Sequence, residues 1–63
     1  MNKKKRGEKI YEIAREISWN WVMTSNESKM LLLLEAERIL NGGSLPQHKE
    51  TRFKIEEILL KLE

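Results

Sequence analysis

Residues 29–40 read KMLLLLEAERIL, and this stretch decides the fold. One face of a helix needs an apolar residue only every third or fourth position. Here Met30, Leu31, Leu32, Leu33 and Leu34 follow one another without a break. At about 100° per residue, Leu32, Leu33, Ala36, Ile39 and Leu40 share one side, while Met30, Leu31 and Leu34 point the other way with Arg38. The stretch therefore reads as a helix with two apolar sides, one for a core and one in want of a neighbour. No alternation of period two is long enough to compete as a strand.

Working outward, Thr24-x-x-Glu27 has the form of a capping box, so the helix is expected to begin at Thr24. Asn41-Gly42-Gly43 ends it, because glycine takes the left-handed conformation that closes a helix. Upstream, Ile10, Ile13, Ala14, Ile17 and Trp21 recur at helical spacing and predict a first helix from about Glu8 to Met23, with Tyr11 at the edge of its buried stripe. Downstream, Ser44-x-x-Gln47 is again a capping box, and Pro46 is tolerated in a first turn. Ile55, Ile58, Leu59 and Leu62, continued by Thr51, predict the inner stripe of a third helix. Glu50 with Lys54 and Glu57 with Lys61 suggest ion pairs on its solvated side. All ten acidic residues are Glu, which suits helix interiors better than Asp does. The expectation is an all-α fold: an antiparallel helical hairpin plus a third helix, with the second helix in the middle.

A chain of 63 residues is one domain. It buries only about 60% of its unfolded surface and is marginal unless something else supports it. With no cysteine and one histidine, disulfides and thiolate metal sites are excluded, which leaves regular helix packing and self-association. Large apolar residues also lie off the core stripes: Trp19 in the first helix, Leu31 and Leu34 in the second, Phe53 and Leu60 in the third. These five are the expected protein interface, used by a second copy in a homodimer or by another protein. The fold is expected to be completed by homodimerisation.

Charge is unevenly placed. The net charge is +2, yet Lys3, Lys4, Lys5 and Arg6 are four of the twelve basic residues, leaving eight basic against ten acidic elsewhere. Residues 1–7 are expected to form a disordered basic arm ahead of a single domain at 8–63. Such an arm can neutralise phosphates, so a nucleic-acid-binding regulator using Lys3, Lys4, Lys5, Arg6, Lys9 and Arg15 is the alternative function. A membrane-surface helix is opposed by Glu8, Glu12 and Glu16. There is neither an apolar run long enough to span a bilayer nor a secretory signal, so the chain is expected to be soluble and cytoplasmic.

Catalytic signals are weak. His48 has no nucleophile or pocket implied beside it. Glu12 with Glu16 and Glu56 with Glu57 read as solvated pairs. Gly42-Gly43-Ser44 lacks the Lys-Ser/Thr of a phosphate-binding loop. No enzyme, cofactor, metal or small-molecule substrate is expected. Arg38-Ile39-Leu40-Asn41-Gly42-Gly43-Ser44-Leu45-Pro46, followed by Lys54-Ile55-Glu56-Glu57-Ile58-Leu59, resembles the closing part of a Cro/C1-type helix-turn-helix domain, which would imply DNA binding. It departs where bases would be read: MLLLLEAERIL is apolar and acidic, whereas base edges are met by Arg, Lys, Asn, Gln, Ser or Thr. The chain is accordingly expected to be a small regulatory or adaptor protein working through helix-mediated contact.

Overall fold

The computed structural model describes residues 2–61. Among these the chain forms three helices, α1 (Lys3–Ile17), α2 (Asn26–Leu40) and α3 (Lys49–Leu60), and no strand. The Cα radius of gyration is 11.1 Å, close to the roughly 11 Å of a compact chain this long.

The core follows the apolar periodicity. Ile13 and Ala14 of α1, Ala36 and Ile39 of α2, and Ile55 of α3 are fully buried. Ile10, Ile17, Trp21, Leu32, Leu33, Leu40, Leu45, Ile58 and Leu59 pack around them. Leu62 lies outside the described residues. The order of packing differs from expectation. The central helix is α1, which packs against both others, while α2 and α3 barely meet. The outer side of α2 therefore has no helix of its own chain laid across it.

Helix ends are where local chemistry overrides the expected boundaries. α1 begins at Lys3, so residues 3–7 are helical and not a disordered arm. Two interactions hold them. Asn2 caps the helix, its Oδ1 accepting from the Lys5 N–H at 2.8 Å. One turn on, Arg6 Nη2 donates to Asn41 Oδ1 at 2.7 Å and lies 3.8 Å from Glu37. α1 stops at Ile17, six residues before the expected end at Met23, with Ser18 extended. In the turn that follows, the Ser18 hydroxyl donates to the Arg15 carbonyl, the Thr24 hydroxyl donates to the Asn20 carbonyl, and Asn20 Oδ1 accepts from the Met23 N–H. These side chains offer the backbone an alternative to further helix.

With its hydroxyl engaged on Asn20, Thr24 does not cap α2. Ser25 does, its Oγ accepting from the Ser28 N–H at 3.2 Å. The C-terminus of α2 closes as expected. The Gly43 N–H reaches the Arg38 carbonyl at 2.8 Å and the Gly42 N–H reaches the Ile39 carbonyl at 3.0 Å. Gly42 has φ of 101°, the pairing of bonds and left-handed glycine that defines a Schellman motif. Gly43 matters for space, since a Cβ there would sit 2.8 Å from the Arg38 carbonyl oxygen.

α3 starts at Lys49, not beside Ser44, with His48 as its N-cap: Nδ1 accepts from the Thr51 N–H at 3.4 Å and lies 3.1 Å from the Thr51 hydroxyl. Residues 43–46 carry no regular structure because Leu45 is turned in against the core. The ion pairs along helices are Lys9–Glu12 and Glu35–Arg38, at i,i+3. Among the described residues neither Glu50–Lys54 nor Glu57–Lys61 closes to ion-pair distance.

Candidate functional site

The five residues expected at an interface are all on the surface. Trp19 is 100% exposed, Leu60 85%, Leu31 67%, Phe53 63% and Leu34 61%. Val22, Met23, Met30 and Tyr11 add to the exposed large apolar side chains. By contrast, among the described residues only three large side chains, Ile13, Ile39 and Ile55, are fully buried.

These residues fall in separate places. Leu31 and Leu34 share the outer side of α2 with Met30. Leu34 and Met30 also line a shallow groove of about 300 Å³ with Ile10, Leu33 and Glu37. Phe53 and Leu60 lie on α3 and line a second groove of about 490 Å³ with Leu45, Leu59 and the carboxylate-bearing Glu56 and Glu57. The two grooves have no residue in common. Trp19 is not on a helix but in the turn after α1, beside the exposed Val22 and Met23 in sequence.

Three exposed residues were absent from the expected set. The signal for Met30 was present in its position four before Leu34. Val22 and Met23 were hidden by extending the first helix too far. Tyr11 corrects the opposite way: it is half-exposed, edge-on to Trp21 at 5.5 Å between ring centroids, with the Arg15 guanidinium 5.6 Å from its own centroid. Lys29 similarly lies 5.3 Å from the centroid of the Trp21 ring. Trp21 is thus enclosed by polar and aromatic neighbours while Trp19 is bare.

Electrostatics mark the end of α2. Arg38 Nε donates to Glu35 Oε1 at 3.2 Å, and Nη2 donates to the other carboxylate oxygen. This two-point hydrogen bond holds the Glu35 carboxyl below the usual carboxylate range and raises the Arg38 guanidinium further. Both groups are solvent-exposed, so the pair shapes the surface more than it stabilises the fold.

Of the six basic residues expected for nucleic acid, Lys3, Lys4, Lys5, Arg6 and Lys9 lie within the first two turns of α1 and Arg15 stands near its end. Lys3, Lys4 and Lys5 are exposed on the first turn of α1. Arg6 is tied to Asn41 and Glu37, Lys9 lies 3.8 Å from Glu12, and Arg15 faces Tyr11. His48 serves as a helix cap. Among the described residues no group of three His, Cys, Asp or Glu side chains is placed to hold a metal ion, and no helix is long and apolar enough to cross a membrane. No protein-family model, curated protein or solved structure matches this chain.

Proposed function

We propose that this chain is a small non-enzymatic regulatory or adaptor protein that acts by presenting apolar helix faces to another protein, a second copy of itself first. The observation that carries the reading is the exposure of large apolar side chains. Among the described residues three large side chains are fully buried and nine further apolar residues pack around them, while Trp19, Leu31, Leu34, Phe53 and Leu60 are each more than half exposed. Burying such side chains is worth about 1.5–3 kcal/mol apiece when complete, so association would recover what the small core does not. α1 and α2 are read as an antiparallel hairpin, supported by Arg6, near the start of α1, bonding to Asn41 at the end of α2. The nucleic-acid alternative, a small regulator using its basic N-terminal segment, keeps Lys3, Lys4 and Lys5 exposed, while Arg6, Lys9 and Arg15 have partners within the chain; steeply salt-dependent binding lost on removing Lys3–Arg6 would favour it over protein contact.

The test is sedimentation equilibrium of the wild-type chain and of a variant carrying Trp19→Ser, Leu34→Glu and Leu60→Glu, each checked for helicity by circular dichroism. Wild type exceeding its 7.5 kDa mass, or capturing a protein that the equally helical variant does not, supports the reading. Both chains staying monomeric, with identical capture profiles, contradicts it.

A further inference from the structure

The outer side of α2 carries a charge pattern that matches its own reverse. Glu27, Leu31, Leu34 and Arg38 are spaced by four, three and four residues, the a/d spacing of a helix that packs along a seam. They lie opposite the buried Ala36 and Ile39, on the side that α3 does not reach. We propose that two copies of this chain pair along this seam, antiparallel, with Leu31 against Leu34 of the second copy and Glu27 against its Arg38. This rests on the protein-contact reading above and names both its partner and its register.

Charge decides the direction. A parallel pair would set Glu27 beside Glu27 and Arg38 beside Arg38. The antiparallel pair places opposite charges at both ends and leaves the two leucines in the middle. Glu27 stands in the first turn of α2 and Arg38 in its last, so each already complements its own helix dipole, and reversing one helix also opposes the two dipoles. Arg38, held by Glu35 within its chain, would be bracketed by a second carboxylate. Met30 widens the apolar seam along one edge.

The chain has no cysteine, so disulfide trapping reads the register cleanly. In the proposed pair, residues 27 and 38 of different copies lie at the same level. Arg38 and its counterpart stand eleven residues apart along the axis, about 16 Å, well beyond the roughly 7 Å that a disulfide can bridge between Cα atoms. The experiment mixes the Glu27→Cys and Arg38→Cys chains, which keeps one Glu27–Arg38 pair, and oxidises the mixture and each variant alone under mild conditions, after measuring the solution mass of the wild type and of Leu34→Glu. The expected result is efficient covalent dimer in the mixture and almost none for either variant alone. Wild type should be dimeric, and Leu34→Glu should weaken association at least tenfold with helicity retained. Efficient cross-linking of Arg38→Cys alone overturns the register but leaves protein contact standing. A monomeric wild type overturns self-pairing and leaves only contact with a different protein. Dimerisation unaffected by Leu34→Glu but lost in Phe53→Glu moves the interface to α3 and overturns the proposal.

Discussion

Replacing Ile55 by alanine should cost this protein about half of its stability. Ile55 is the one fully buried residue of α3, and α3 is held to the rest of the chain through α1. The substitution removes three buried carbons, about 2.4 kcal/mol of transfer free energy. The cavity left behind raises the expected loss to about 3–4 kcal/mol. At 0.05–0.15 kcal/mol per residue a chain of this length has only about 3–9 kcal/mol to lose, and the melting temperature should fall by on the order of 20 °C. The assay is urea unfolding at fixed protein concentration, followed both by circular dichroism and by tryptophan fluorescence. Trp21 reports the α1–α2 region through its contacts with Tyr11 and Lys29, whereas helicity reports all three helices. In the variant α3 should be lost first, so the helical signal should fall before the fluorescence changes. Lys54→Ala, on the exposed side of α3, is the control and should stay within about 0.5 kcal/mol of wild type. A loss under about 1 kcal/mol for Ile55→Ala, or one matched by Lys54→Ala, would refute the assignment of Ile55 as the anchor of α3.

Three further outcomes are expected. Ser25→Ala should cost about 1 kcal/mol in the same urea assay because it removes the cap of α2, whereas Ser28→Glu in the otherwise wild-type chain should add stability by completing a capping box with Ser25; unchanged stability in Ser25→Ala would place the cap elsewhere. Gly42→Ala should cost about 1–2 kcal/mol, since alanine must adopt the positive φ of the Schellman turn; a neutral result would mean that the turn can close another way. The Glu35 carboxyl is held below the usual range by Arg38, so its contribution is present in full above the unfolded-state value and fades as pH falls through the lower folded-state value. Glu35→Gln should therefore lower stability slightly at neutral pH, where the pair is intact, and converge on wild type as pH falls and the wild-type carboxyl is protonated; a difference that stays constant through the acid range would contradict the pairing.

The core was legible in the sequence because burial depends on spacing, and spacing survives errors at helix ends. Ile13, Ala14, Ala36, Ile39 and Ile55 occupy their expected stripes although every helix start was displaced. The ends were less legible because capping is settled by competition between adjacent side chains. Thr24 and Ser25 are both capping residues, serine the better of the two, and the choice falls to Ser25 once Asn20 engages the Thr24 hydroxyl. Residues 3–7 read as a charged arm because Asn2 and the long-range bond from Arg6 to Asn41 leave no periodic trace. The centrality of α1 was equally hidden, since two apolar sides on α2 can mean two neighbours within the chain or one within and one outside. The exposure of the off-stripe residues Leu31, Leu34, Phe53 and Leu60 follows from angle alone. That of Trp19 does not, because α1 ends before it and the residue stands in the following turn.

The measurement that bears most directly on the account is the solution mass of the intact chain by light scattering behind a sizing column, over a concentration series at two salt concentrations. The account predicts a mass that climbs from 7.5 kDa toward twice that value, with Leu34→Glu remaining at the monomer mass while keeping its helicity. A single mass of 7.5 kDa at every concentration, the same for wild type and Leu34→Glu, would contradict it.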